Sequence, residues 1–115
     1  MQPDTRDAAL LWDILTAAQE IRQFVQDCEW RQFEQNKILR YAVERQILVI
    51  GEASRKLSQS FRDQHTEIPW NAIIAQRHIV AHEYGEILTE RIWNVAVNRI
   101  PELIQKLQPL LPDKK

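Results

Sequence analysis

An all-α fold, an up-down bundle of four or five helices, is predicted by three observations on this 115-residue chain. No proline occurs between Pro3 and Pro69, β-branched clusters are sparse, and the only glycines are Gly51 and Gly85. A long proline-free stretch permits helix, whereas two glycines cannot furnish a turn-rich β fold or a Gly-rich phosphate loop. The length suits one domain spanning 1–115. With 44% hydrophobic and 27% charged residues the composition is that of a globular chain rather than a disordered one. The aliphatic run 47–50 is far shorter than the roughly 20 residues a membrane span needs, and the polar opening residues offer no signal-peptide core. Cys28 is the sole cysteine, so no internal disulfide is expected and a reducing, cytoplasmic setting fits.

Each element has its own warrant. Asp4 or Thr5 can cap a first helix whose stripe is Leu11, Ile14, Leu15, Ala18, Ile21, Val25 and Cys28, spaced by threes and fours. Residues 29–35, polar apart from Trp30 and Phe33, read as a turn. A second long helix over 36–57 carries two apolar rows. Leu39, Val43, Ile50, Ala53 and Leu57 form one; Ile38, Tyr41, Ala42, Leu48 and Val49 form the other, which predicts packing on two sides. Residues 58–68 are polar and aperiodic and read as a loop. Pro69 suits the first turn of a third helix, expected from 70 to about 84 and ended by Gly85. A fourth helix, from near Thr89, uses Ile92, Trp93, Ala96, Ile100, Leu103, Ile104 and Leu107, with Pro101 expected to kink or split it.

The third helix concentrates polar groups: Arg77, His78, His82, Glu83 and Tyr84 interrupt a run of Ile and Ala. Arg77 and His82 lie about 140° apart around a helix and about 7.5 Å apart along it, so an extended guanidinium and an imidazole can converge on one patch. Phosphoryl transfer uses such a pair, the guanidinium fork for phosphate charge and the imidazole for the proton. The spacing alone equally allows a surface Arg paired with a carboxylate and a His at a helix C-terminus. A metal site is a further alternative. His78 and His82 are four apart, and Glu44 or Glu52 could supply a third ligand, although no Glu-x-x-His pair is present. Glu52 and Glu44 can orient Arg77 or His82, or simply pair with Lys56 and Arg40. A buried structural role is expected for Glu52. The four tryptophans, Trp12, Trp30, Trp70 and Trp93, are expected as core or interface anchors.

Residues 70–84 resemble the signature helix of HEPN-domain proteins, specifically the HepT-like toxin family with its motif of Arg, four residues, His, any residue, Tyr. Residues 43–53, with Ile50, Gly51, Glu52 and Ala53 at their core, are similar to that family's second-helix segment. Residues 92–95 and 100–103, Pro101 included, resemble its last helix. The resemblance implies a homodimeric HEPN bundle acting as a metal-independent ribonuclease toxin of a type VII-like pair, with Arg77 and His82 catalytic. It also implies an MntA-type nucleotidyltransferase antitoxin that adenylylates Tyr84, and no cofactor. His78 stands where the family commonly has Asn, and it either assists catalysis, positions a group, or weakens activity. A non-catalytic helical adaptor, itself a nucleotidyltransferase substrate, is the alternative from another class. Charge does not separate the two readings. Residues 1–68 hold 9 basic and 11 acidic side chains and residues 69–115 hold 6 and 5, so RNA binding must rest on local charge.

Overall fold

The structure, a computed structural model, describes residues 4–82 and 85–112, with side chains throughout these except at 81, 82 and 85–87. Among the described residues there are α-helices and no strand. The first is α1, Thr5–Val25. The Asp4 carboxylate accepts a hydrogen bond from the Asp7 backbone N–H at 2.7 Å and so caps it. Its expected stripe is buried from Leu11 to Val25. Cys28 lies beyond the helix: Gln26 leaves helical geometry, Asp27 takes φ 61°, and the Cys28 N–H turns back to the Val25 carbonyl.

Residues 29–35, expected as a turn, contain a short helix, α2, Trp30–Gln35. The Glu29 N–H donates to Gln32 Oε1 at 2.8 Å, half of a capping box. Tertiary packing supplies the rest of its stability. Trp30 and Phe33, three residues apart on one face, set their ring centroids 6.1 and 5.1 Å from that of Trp93.

Asn36 caps α3, Lys37–Lys56, by accepting from the Leu39 N–H at 3.0 Å. This helix lies between α1 and α5 (Trp70–His82), burying Val43, Ile47, Ile50, Ala53 and Ser54. Of its second expected row, Ala42, Leu48 and Val49 are half-buried, but Ile38 is 83% and Tyr41 58% exposed. That row is therefore only partly covered within the chain.

The expected loop over 58–68 also holds a short helix, α4, Gln59–Gln64, capped by Ser58. Phe61 anchors it, buried against His65 at 4.4 Å and Trp70 at 6.3 Å between centroids. Asp7, buried near the start of α1, ties down the same corner. It accepts from the Ser58 N–H at 2.9 Å and from the Ser58 hydroxyl at 2.7 Å. In α5 the Pro69 carbonyl accepts from the Ile73 N–H, so Pro69 precedes the helix as its cap residue rather than opening it.

Gly85 begins α6, Gly85–Asn94, four residues before the expected start at Thr89. The helix then runs without a break through a π-turn, Val95–Arg99, into α7, Ile100–Leu107. Pro101 neither splits nor stops it. The proline has no N–H for the preceding turn, and the chain widens just before it, with the Ile100 N–H reaching the Val95 carbonyl five residues back. Backbone angles at Asn94, Arg99 and Ile100 all stay helical. Ile92, Ala96, Ile100, Leu103, Ile104 and Leu107 close the core against α1 and α3. No helix among the described residues is long and apolar enough to cross a membrane.

Candidate active site

The site begins with a missing side chain. A Cβ placed on Gly51 would stand 3.4 Å from the Arg77 Cβ and 3.4 Å from the Ile73 carbonyl oxygen. Only a small residue on α3 permits α5 to come so close. The approach carries the Arg77 guanidinium over the next residue of α3, and Arg77 Nη1 lies 3.1 Å from Glu52 Oε2.

The other oxygen of Glu52 faces its own helix. Arg55 Nη2 lies 2.6 Å from Oε1, and Lys56 Nζ lies 4.0 Å from it. One carboxylate thus faces three cations drawn from two helices. The Arg55 hydrogen bond, reinforced by the charges of Arg55, Arg77 and Lys56, holds the Glu52 carboxyl below the usual glutamate range against its partial desolvation. Glu52 is expected to be buried; it is not, since 37% of its side chain is exposed and half of Arg77's is. The pair lies in an open groove of about 400 Å³ between α1, α3 and α5, lined also by Asp13, Arg45 and Lys56.

Of the other expected site residues, His78 is exposed on α5. The His82 side chain and Tyr84 lie outside the described residues, so the expected convergence of guanidinium and imidazole lies there too. Glu44 is half-buried, and burial pushes its carboxyl up while the Arg40 charge opposes this. Arg40 itself donates to the Glu34 backbone carbonyl. Among the described residues no group of three His, Cys, Asp or Glu side chains is placed to hold a metal ion. Trp70 is buried, with its indole N–H on the His65 carbonyl at 3.0 Å, and no tryptophan lines the groove.

A larger cleft, about 490 Å³, opens between α3, α5 and the π-turn. Ile47, Ile50, Ile73 and Leu103 give it an apolar wall, and the rim charges Arg99 and Glu102 pair with each other at 3.5 Å. Arg99, Glu102 and Lys106 supply its charges, and no histidine is among its lining residues. Asp7 and Arg55 take part in these networks without being among the expected site residues. The signal for Arg55 was its position three residues after Glu52 on one helix face; nothing local signalled Asp7, whose partner is 51 residues away.

Fold and site together define an all-α bundle protein with a half-exposed arginine paired to a carboxylate over a Gly-Glu step. The chain belongs to the Ribonuclease HepT-like family, whose pattern it matches over residues 14–110. It is 33% identical over 100 residues to a Methanocaldococcus jannaschii protein named "Putative RNase", covering 87% of this chain and 92% of that one. A second relative from that organism, of the same name, is 31% identical, covering 91% of this chain and 90% of its own. A Thermococcus cleftensis protein named "Probable ribonuclease HepT" is 31% identical, with 87% and 91% covered. No solved structure gives a significant match.

Proposed function

We propose that this protein is a ribonuclease that cleaves RNA without a metal ion, with Arg77 and His82 as its catalytic pair. The observation that carries the reading is the Arg77 guanidinium, half-exposed in an open groove and preset by a single carboxylate, in a chain of the HepT-like family. The RNA 2′-hydroxyl attacks the adjacent phosphorus while the His82 imidazole takes its proton. The P–O5′ bond breaks, the leaving 5′-oxygen takes the proton back from the His82 imidazolium, and a 2′,3′-cyclic phosphate remains. Arg77 holds the charge that builds on the phosphoryl oxygens. DNA lacks the attacking hydroxyl, so this chemistry selects RNA. Glu52 and His78 are auxiliary groups that position Arg77 and the phosphate.

The whole chain forms one domain and works as a homodimer in the cytoplasm, as the toxin of a type VII-like pair. Two exposed apolar side chains support the dimer. Ile38 and Tyr41 continue, through Arg45 and Leu48, the helix face that carries Glu52, so a second copy seated there would bring two arginine sites together. An MntA-type nucleotidyltransferase restrains the enzyme by attaching adenylyl groups to Tyr84, where an anionic nucleotide competes with RNA phosphate. The adaptor reading, in which the arginine is sealed by salt bridges, has less support because half of the Arg77 side chain meets solvent.

The test is RNA cleavage in chelator-treated buffer by wild type, Arg77→Ala and His82→Ala. Both variants should fold and lose cleavage by two orders of magnitude or more. Wild-type rates from either folded variant would overturn the assignment. Tyr84→Phe should keep cleavage and refuse adenylyl transfer from ATP; transfer at the wild-type rate would place the acceptor elsewhere.

A further inference from the structure

Three distances around Glu52 form a ranked series: 2.6 Å to Arg55, 3.1 Å to Arg77 and 4.0 Å to Lys56. Arg55 is the anchor. It shares a helix with Glu52, one turn on, and makes the shortest contact. Arg77 arrives from another helix and takes the second oxygen. Lys56 is at the limit of ion-pair range and is bound loosely. With Asp13 and Arg45 of the same groove counted, two carboxylates face four cations, an excess of two, in a chain whose formal net charge is −1. Like charges this close repel unless an anion joins them, and half-exposed groups in an open groove leave room for one. Arg77, Lys56 and Arg55 are each about half exposed.

We propose that Lys56 and Arg77, spaced by the Arg55-anchored Glu52, form a two-cation subsite for neighbouring phosphodiesters of one RNA strand. In the free protein the Glu52 carboxylate stands where substrate oxygens will stand. It accepts the Arg77 fork as a phosphate does, and so keeps the guanidinium aimed into the groove. On binding, the fork passes to the phosphate at the cleavage point. Glu52 stays on Arg55, and Lys56, the loosest partner, takes the next phosphate along the groove. Glu52 is in this arrangement a positioning residue and a competitor at once, so removing its charge has opposite effects on binding and on turnover. The subsite rests on the ribonuclease reading.

The experiment measures binding of a single-stranded 2′-O-methyl oligoribonucleotide, which lacks the attacking hydroxyl, across a salt series. Lys56→Gln should weaken binding several-fold and reduce the slope of log K against log salt by about 0.7, the value of one lost phosphate contact. Arg22→Gln, an exposed cation at the far end of α1, controls for net charge and should change both far less. Glu52→Gln should bind the oligonucleotide at least as tightly as wild type, yet cleave unmodified RNA at least tenfold more slowly. Wild-type affinity and slope for Lys56→Gln, an equal loss in Arg22→Gln, or weaker binding by Glu52→Gln would each overturn the subsite. An active Arg77→Ala would instead remove the catalytic assignment of Arg77 on which the subsite rests, whereas an inactive Arg77→Ala beside an unaffected Lys56→Gln would remove the subsite alone.

Discussion

Gly51 meets Arg77 across the seam between α3 and α5 with no side chain of its own: a Cβ on Gly51 would lie 3.4 Å from the Arg77 Cβ. That distance is at the edge of ordinary van der Waals contact. Gly51→Ala should therefore be tolerated, because a mid-helix glycine costs about 0.5–1 kcal/mol relative to alanine and offsets the tighter seam. Gly51→Val adds branches with nowhere to go. It should destabilise by about 1–3 kcal/mol and move α5 off α3, carrying Arg77 away from Glu52. Thermal denaturation and RNA cleavage, measured on both variants, check this; a Val variant with wild-type activity would contradict it.

Asp7 should be one of the most sensitive polar positions in the chain. Its carboxylate is buried and accepts two hydrogen bonds from Ser58, whose hydroxyl in turn accepts the Phe61 N–H at 3.1 Å. Asp7→Ala strands a backbone donor and loosens the α3–α4 corner, at an expected cost of about 2–3 kcal/mol. Ser58→Ala keeps the backbone bond and should cost less. Urea denaturation of the two single variants and the double variant would show the coupling as a double-variant loss smaller than the sum.

Glu44 and Glu52 should respond to pH in opposite senses. Burial raises the Glu44 carboxyl, with Arg40 opposing, so between the ordinary glutamate value and the raised one the folded chain holds more protons than the unfolded. Stability contributed there falls as pH rises through that window. Glu44→Gln should remove the slope and be the more stable protein above the window. For Glu52 the shift is downward, led by the Arg55 hydrogen bond. Its hold on Arg77 is complete above the ordinary glutamate value and is lost as pH falls through the lowered one. Denaturant titrations from acidic pH, below the ordinary glutamate value, up to neutral pH distinguish the cases, and identical pH profiles for wild type and Glu44→Gln would refute the first.

The long helices were legible because their signals are local. The stripe from Leu11 to Val25 and the row Leu39, Val43, Ile50, Ala53 and Leu57 follow from i, i+3 and i, i+4 geometry alone, and all of these residues are buried except Leu39, which is half-buried. Residue type offers Asp4 or Thr5 as the cap of α1, and Asp4 makes the bond. The helices α2 and α4 were not legible. Six residues cannot hold a helix by propensity, and what holds these two is Phe33 against Trp93 and Phe61 against Trp70, contacts made only after the chain has folded. Pro101 signals a disturbance of the helix, and only the folded chain shows that a π-turn accommodates it.

The sequence by itself determined an all-α chain with reactive groups concentrated on one helix, since hydrophobic period and residue type need no partner to be read. It left Glu52 with two possible cationic partners, Lys56 beside it and Arg77 on another helix. Tertiary structure decided that both contribute, that Arg55 binds most closely, and that the carboxylate stays open to solvent. The reason is distance across the seam between α3 and α5. How near two backbones come depends on the volume of the residue between them, here the absent side chain of Gly51, and on packing that no local pattern encodes.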